Sequence, residues 1–335
     1  MRQAIIDIGT NTVKLLVANV QAGQLDVVTS QDQPTRLGEG VNATRRLAPA
    51  AIARTVQTVA DYAATARQLG ATDICAFTTS AVRDAENRDE FLAAVRDQTG
   101  LSVEVITGER EAELIFRGVV SDPVWSDQPL IVMDVGGGSA EFIQGRADRV
   151  EHRCSLPLGA VRLTEQFGED RFPELCEHIR TTLHAGLTNY DPAGRQLIGT
   201  GGTITTLARI ATGHADHIML AVENLRALVF RLNALPLAER RQFPACRRTA
   251  PISSWPAGWC FCSRSNHSTR SSSPSAPAIS ATARCSLRDS GAHPTTAAGA
   301  KLFRVCAVDC YIARREGVGP ATGVVVEELR GFVRG

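Results

Sequence analysis

The sequence predicts an α/β protein built from two lobes of similar plan, followed by an irregular C-terminal region. Three observations carry that expectation. A strand-like run ending in Asp-hydrophobic-Gly occurs twice, as Asp7-Ile8-Gly9-Thr10 and as Asp134-Val135-Gly136-Gly137. Each run opens a set of short strands that gives way to helical patterns. From about residue 244 both periodicities disappear.

In the first half, AIIDIGTNTVKLLVANV predicts two strands around a glycine-containing turn. QAGQLDVVTSQ predicts a third strand, joined by a hairpin at Ala22 and Gly23. Residues 50–69 form an alanine-rich helical pattern that stops at Gly70. TDICAFTTSAV reads as a strand entering a helix near Arg83, SVEVI as a strand, and Gly108 to Gly118 as a short helix with acids at its start. The second half begins at Pro129. PLIVMDV, AEFIQG and ADRVEHRCSL predict three consecutive strands, and helical patterns cover 160–167 and 171–187. RQLIGTGGTITTLARI predicts a strand, a Gly-rich turn and a helix. The stretch SDPVWSDQ separates the halves, which places the lobes at 1–124 and 125–243.

Composition narrows the function. Lys plus Arg number 36 against 35 Asp plus Glu, so no global basic field points to nucleic acid. No apolar run approaches the ~20 residues of a membrane helix. MRQAIIDIGT lacks the regions of a signal peptide, which makes a cytoplasmic location the expectation. The nine cysteines form no disulfide framework, and the seven histidines show no metal-ligand spacing.

The chemistry concentrates in three glycine loops: DIGTNT (7–12), DVGGGS (134–139) and GTGGT (199–203). Glycine lets backbone N–H groups approach an anion without a Cβ in the way, and successive N–H groups form an anion-binding concavity. The third loop opens a helix, whose N-terminus adds positive partial charge. Gly9, Gly136, Gly137, Gly138, Gly201 and Gly202 would supply close approach. Thr10, Asn11, Thr12 and Ser139 would supply side-chain hydrogen bonds. One such loop is more simply a hairpin turn, but two Asp-x-Gly loops at matching places predict a phosphate cradle. Asp7 and Asp134 then hold a cation beside the phosphate, because Mg²⁺ takes oxygen ligands and bridges carboxylates to phosphate oxygens. Glu141 lies two strand residues beyond Ser139, on the same face. It is either a further ligand, through water, or a solvated strand residue. Lys14 faces either the cleft or water, and Arg36 is a weaker candidate for the substrate path.

These motifs resemble the actin, sugar kinase and heat-shock-protein superfamily. Within it, the chain is most similar to the exopolyphosphatase and guanosine pentaphosphate phosphatase family. The resemblance covers roughly residues 3–235. It is carried by DIGTNTVKLLV, FTTSAVRDA, ITGEREAELIF, DVGGGSAEF, SLPLGAVRLTE and IGTGGT, in that order. It implies two ribonuclease-H-like (actin-like ATPase) lobes around a cleft. The implied reaction is hydrolysis of a terminal phosphoanhydride, assisted by Mg²⁺ or another divalent cation, in inorganic polyphosphate or pppGpp. By position, Glu111 matches the catalytic glutamate, Arg83 the phosphate-contacting arginine, and Asp134 and Glu141 acids of the second phosphate loop. Arg110 stands where many members carry an acid. A carboxylate such as Glu111 can position the attacking water and take its proton. Glu109 and Glu113 more simply favour the helix dipole and face solvent, and the bland reading of Arg83 pairs it with Asp84 or Glu86. Polyphosphate is preferred over pppGpp, because a repetitive anion needs only a phosphate cleft. Neither nucleic acid nor membrane is an expected partner, and a homodimer is compatible with the resemblance. An ATP-dependent kinase of the same superfamily is the alternative enzyme.

The C-terminal region departs from this pattern. Residues 244–300 are rich in Ser and Arg and form an aberrant, low-order segment, with a tail of unassigned role at 301–335. Six of the nine cysteines lie there. The bland reading is a disordered linker. The sharper reading is a shifted reading frame. One permissible back-translation of 244–261, read two bases later, gives the helix-like string GLPPDRADIILAGGLVF. The alanine forced by Trp255-Pro256 and the valine forced by Trp259-Cys260 hold for any codon choice. Damage of this kind would remove closing helices of the second lobe and leave a non-catalytic phosphate-binding remnant as a third possibility. Resequencing the gene through this region is expected to show a one-base or two-base discrepancy, and an intact frame would remove the idea.

Overall fold

The computed structural model of the chain describes residues 1–21, 24–168, 171–213, 219–240, 242–243 and 324–327. The first sheet holds β1 (Arg2–Ile8), β2 (Thr12–Gln21), β3 (Gln24–Pro34), β4 (Asp73–Thr78) and β5 (Val103–Val105), in the order β3-β2-β1-β4-β5. The first three strands are an antiparallel meander, and β4 and β5 run parallel to β1. The second sheet repeats this plan. Its meander is β6 (Pro129–Val135), β7 (Ala140–Arg146) and β8 (Arg149–Leu156), and β9 (Gln196–Thr200) lies parallel to β6. β10 (Met219–Ala221) and β11 (Val324–Glu327) complete the order β10-β11-β9-β6-β7-β8. The expected pair of α/β lobes is therefore present. The hairpin at Ala22 and Gly23, the segment 244–300 and the reading-frame idea lie outside the described residues. Of the tail 301–335, the described part is β11, a strand of the second sheet.

Ten helices connect these strands among the described residues. They are α1 (Val41–Thr44), α2 (Pro49–Gln68), α3 (Ser80–Asp84), α4 (Arg88–Thr99), α5 (Gly108–Val120), α6 (Ala160–Phe167), α7 (Phe172–Gly186), α8 (Gly201–Thr212), α9 (Val222–Asn233) and α10 (Leu237–Arg240). None of them is long and apolar enough to cross a membrane. α4 was not foreseen from sequence. Its large buried side chains are only Phe91 and Val95, a stripe too narrow to show a clear helical period.

Strand alternation sorts the side chains. Successive residues of a strand point to opposite faces. On β1 and β2, Ala4, Ile6, Ile8, Val13, Leu15 and Val17 pack against α2 and α4. Ile5, Leu16 and Val20 pack on the opposite face with Phe77 and Ile106. Asp7 and Lys14 share the parity of this second face. On β6 and β7, Ile131, Met133, Val135, Ala140 and Phe142 face the α6, α7 and α8 side. Leu130, Val132 and Ile143 face the other way, and Asp134 and Glu141 share their parity. Every acid singled out on a strand therefore lies on the face opposite its own lobe's main helical layer.

α5 covers both of those faces. Its N-cap is Thr107, whose hydroxyl accepts a hydrogen bond from the Arg110 amide at 3.1 Å. Ala112, Ile115, Phe116 and Val119 recur at helical spacing and pack on Leu130, Val132, Ile143 and Ile198 of the second sheet. Leu114, on another side of the helix, joins Ile5, Leu16 and Phe77 of the first sheet. The helix that sequence assigned to the first lobe is thus shared by both. Phe116 is fully buried, and a Cβ on Gly145 would fall 3.0 Å from its ring edge at Cε1. Phe116→Ala should lower the unfolding free energy by about 3–5 kcal/mol, read by urea denaturation. A loss below about 1 kcal/mol would mean that α5 does not hold the second sheet.

Candidate active site

The two lobes enclose a cleft of about 200 Å³. Its lining includes Asp7, Gly9, Thr10, Asn11 and Thr12 from the first loop, and Asp134 with Gly136, Gly137, Gly138 and Ser139 from the second. Gly201 and Gly202 at the start of α8 and Glu111 at the start of α5 also line it. All ten proposed phosphate-loop residues thus reach one space. Arg83 and Glu141 are not among the lining residues. They stand behind it, in contact with groups described below.

Local geometry explains how the loops keep their shape. The Gly9 amide donates to the Thr12 carbonyl, and the Gly136 amide donates to the Ser139 carbonyl, each at 3.1 Å. The two turns are therefore closed by the same bond. The carbonyls of the second loop are held from behind by the first turn of α6. Ala160 N–H donates to Gly136 O at 2.9 Å, and Val161 N–H donates to Gly137 O at 2.8 Å. Gly201 has φ of 85°, and a Cβ there would fall 2.7 Å from the Asp134 carboxylate, so glycine is required on both counts. Beside Gly202 the space is open.

Four carboxyl groups crowd the inner faces. Asp7 and Asp134 are each pushed above the ordinary aspartate range, mainly by burial. Lys14 Nζ, 3.5 Å from Asp7, opposes the shift of Asp7. The Thr200 hydroxyl, donating to Asp134 at 2.7 Å, opposes the shift of Asp134. Glu141 is 1% exposed, which discards the solvated-strand reading. Its carboxylate accepts from the Ser155 hydroxyl at 2.7 Å, yet burial and then Asp134 raise it to about 7. Glu111 is raised well above the usual glutamate value by burial and then by Glu141, with Asp7 and Asp134 adding to the effect. The Arg83 guanidinium, 3.4 Å from the Glu111 carboxylate, opposes that rise. The same guanidinium donates to the Ile106 carbonyl at 2.9 Å. Arg83 is thus bound to Glu111, and Asp84 is taken by Arg162 instead.

Other sequence expectations fare unevenly. Lys14 faces the cleft. Arg36 is exposed and is not among the lining residues. Glu109 is exposed as expected, whereas Glu113 is half-buried between Arg110 at 3.1 Å and Arg117 at 2.8 Å. Among the described residues, no three His, Cys, Asp or Glu side chains gather as a metal cluster. Asp7, Asp134 and Glu141 therefore do not form a three-carboxylate ligand set. Asp7 and Asp134, both lining the cleft, fit the one or two carboxylates with which Mg²⁺ is commonly held beside phosphate. Residues not singled out from sequence complete the wall: Ser30 to Asp32 on β3, Thr79, and Thr203, Thr205, Thr206 and Arg209 on α8. Asp32 pairs across from Lys14 on β3, one residue past the strand expected from the sequence.

Known proteins share both the sequence and the fold of this chain. The sequence profile of the Ppx/GppA phosphatase family matches residues 16–247. Exopolyphosphatase 2 of Mycobacterium tuberculosis is 40% identical over 227 residues, 63% of this chain and 70% of that protein. Exopolyphosphatase 1 of Mycobacterium leprae is 32% identical over 257 residues, 72% of this chain and 76% of that protein. The crystal structure of the Aquifex aeolicus member of the Ppx/GppA family superposes with a TM-score of 0.64 at 30% identity, over 78% of this chain and 89% of that one. An exopolyphosphatase from Cytophaga hutchinsonii shares the fold with a TM-score of 0.72 at 22% identity, over 97% of this chain and 93% of that one.

The raised carboxyls set a sign for pH. Each holds its proton to higher pH in the folded chain than in the unfolded one. The folded state therefore binds more protons across the window between the two values, and stability falls as pH rises through it. With divalent cations chelated, the urea midpoint should fall as pH goes from about 4.5 to about 7, and Glu141→Gln should remove part of that slope. A midpoint that rises across this window in the parent chain would contradict the assignment.

Proposed function

The chain belongs to the Ppx/GppA phosphatase family, and we propose that it is an exopolyphosphatase, releasing terminal phosphate from inorganic polyphosphate by attack of a water positioned by Glu111. The observation that carries this reading is that two Asp-x-Gly loops, a glycine-started helix and one half-buried glutamate line a single cleft. Nothing in that lining calls for more than a chain of phosphates, which favours polyphosphate over pppGpp.

The proposed division of labour follows from the chemistry of each group. The amides of the loops at 9–12 and 136–139, with the N-terminus of α8, cradle the end phosphate. Thr10, Asn11, Thr12 and Ser139 add directional hydrogen bonds. The Glu111 carboxylate orients a water in line with the terminal phosphorus and accepts its proton. Burial and Glu141 raise its basicity, and Arg83 keeps it from rising too far and holds it in place. Of the pair Glu111 and Glu141, mutual repulsion in a buried setting favours one negative charge at a time. Glu141 is thus assigned to tuning Glu111 rather than to a cation.

A divalent cation such as Mg²⁺, held by Asp7 and Asp134, would supply the positive charge that a polyanion needs in this cleft. The lining acids are Asp7, Asp32, Glu111 and Asp134, against Lys14 and Arg209 among the described cations. An anionic chain entering such a wall meets net repulsion unless it brings counter-charge.

Glu111→Gln keeps the size of the side chain and removes its base. With long-chain polyphosphate and Mg²⁺, phosphate release should fall by about 10²–10⁴-fold while polyphosphate binding persists. Equal turnover by the parent chain and Glu111→Gln would refute the role of Glu111. Release from neither polyphosphate nor pppGpp by the parent chain would refute the hydrolase reading.

A further inference from the structure

One of the contacts that tie the two lobes together beside the cleft is made by the side chain of Arg162, on the first turn of α6. Its guanidinium has three partners. Nε donates to the carbonyl of Gly138, inside the second phosphate loop, at 2.8 Å. Nη1 donates to Asn42 Oδ1 on α1 at 3.0 Å, and Nη2 to Asp84 Oδ2 on α3 at 2.5 Å. The first partner belongs to the second lobe and the other two to the first. Arg162 is 18% exposed and Asp84 29%, so the pair is shielded rather than free in solvent. About one turn further along α6 lies a second bond between the lobes: the Gly40 amide donates to Glu165 Oε1 at 2.8 Å, again joining the start of α1 to α6.

We propose that Arg162 is a positioning residue, a clasp that sets the phosphate loop at 136–139 against the Arg83–Glu111 pair when the lobes are closed. The connection is short and covalent at its far end. Asp84 directly follows Arg83 on α3, and Arg83 holds the Glu111 carboxylate at 3.4 Å. A guanidinium bound at once to Gly138 and Asp84 therefore fixes the phosphate cradle of one lobe relative to the water-positioning acid of the other. The loop has little slack in which to compensate. A Cβ on Gly138 would run into Ser80 Oγ and Thr10 Oγ1, and one on Gly159 would run into the backbone of Gly137 and Gly138. The planar fork suits arginine to this place: its donors sit on three nitrogens in one rigid plane, whereas the three donors of an ammonium rotate about a single nitrogen.

This inference rests on the hydrolase reading for its catalytic part, so its test carries a readout that needs no turnover. In the full-length chain, Arg162→Ala and Asp84→Ala break the clasp from opposite sides. Hydrogen exchange should then show lost protection at the Gly40 amide and in peptides covering 136–141, with β1 and β6 unchanged. With long-chain polyphosphate and Mg²⁺, kcat should drop about a hundredfold, the scale for a small displacement of reacting groups, while KM changes little. Arg162→Lys should restore part of the protection and part of kcat, which a mere packing defect would not predict. Unchanged exchange at Gly40 and 136–141 in both breaking variants would overturn the clasp, whatever the turnover. Lost protection with kcat at the parent value would overturn its positioning role. If the parent chain releases no phosphate, the hydrolase reading falls on its own, and the exchange pattern alone decides whether Arg162 holds the lobes.

Discussion

α5 is wedged between two sheets, and the rest of the site depends on that wedge. A helix with one apolar stripe can bury it against one sheet. This one buries Ala112, Ile115, Phe116 and Val119 on the second sheet and Leu114 on the first. Its rotation is thereby determined from two sides. Glu111 lies one turn into the helix, beyond the Thr107 cap, and has no freedom to turn toward solvent without pulling Leu114 or Ile115 out of a core. The proposed catalytic role of one glutamate in a run of three acids thus rests on packing. Glu109 falls on the exposed side, Glu113 is occupied by two arginines, and Glu111 is the one left facing the space between the sheets.

The same geometry makes the site electrostatically costly. Parity along β1, β6 and β7 sends Asp7, Asp134 and Glu141 to the inner faces together with the aliphatic residues that clamp α5. Burial therefore falls on acids and hydrophobes alike. Hydrogen bonds from Thr200 and Ser155, and the nearby charges of Lys14 and Arg83, offset part of the cost without removing it, since all four carboxyls remain raised. An arrangement that only had to be stable would place neutral side chains here. One that must receive phosphate and a cation has reason to keep the acids close and underneutralised.

Much of this was legible in the sequence because the signals are local. Asp-x-Gly after an apolar run marks a strand end and a turn, and its recurrence at 7–10 and 134–137 reveals the duplicated plan before any contact is known. What stayed hidden is long-range. Nothing local says that the helix at 108–120 packs on the lobe that follows it, because an amphipathic stripe does not name its partner. Glu141 read equally well as solvated, since alternation fixes only which face it shares, and not that α5 covers that face. Arg36 looked useful from its place in a loop, but its exposure follows from a chain path that spacing does not determine. Arg162 lay inside a recognised segment, SLPLGAVRLTE, without any cue that two of its three partners were more than seventy residues away.

The run of three glycines in DVGGGS shows how one motif can answer several constraints. Gly136 closes its turn through the Ser139 carbonyl, the counterpart of Gly9 and Thr12 in the other lobe. Gly137 and Gly138 answer to the opposite lobe. A Cβ on the first would fall 3.1 Å from Thr10 Cβ and 3.4 Å from Asn11 Cβ, and one on the second would meet Ser80 and Thr10. The two glycine loops therefore approach each other as well as lining one cleft. Glycine beside an anion site is usually explained by the approach of the ligand. Here the backbone of one loop must also come within reach of the side chains of the other, so the approach of the lobes is written into the same residues. Any larger side chain at 138 would hold the lobes apart at the point where Arg162 draws them together, which makes the glycines and the arginine two parts of one requirement.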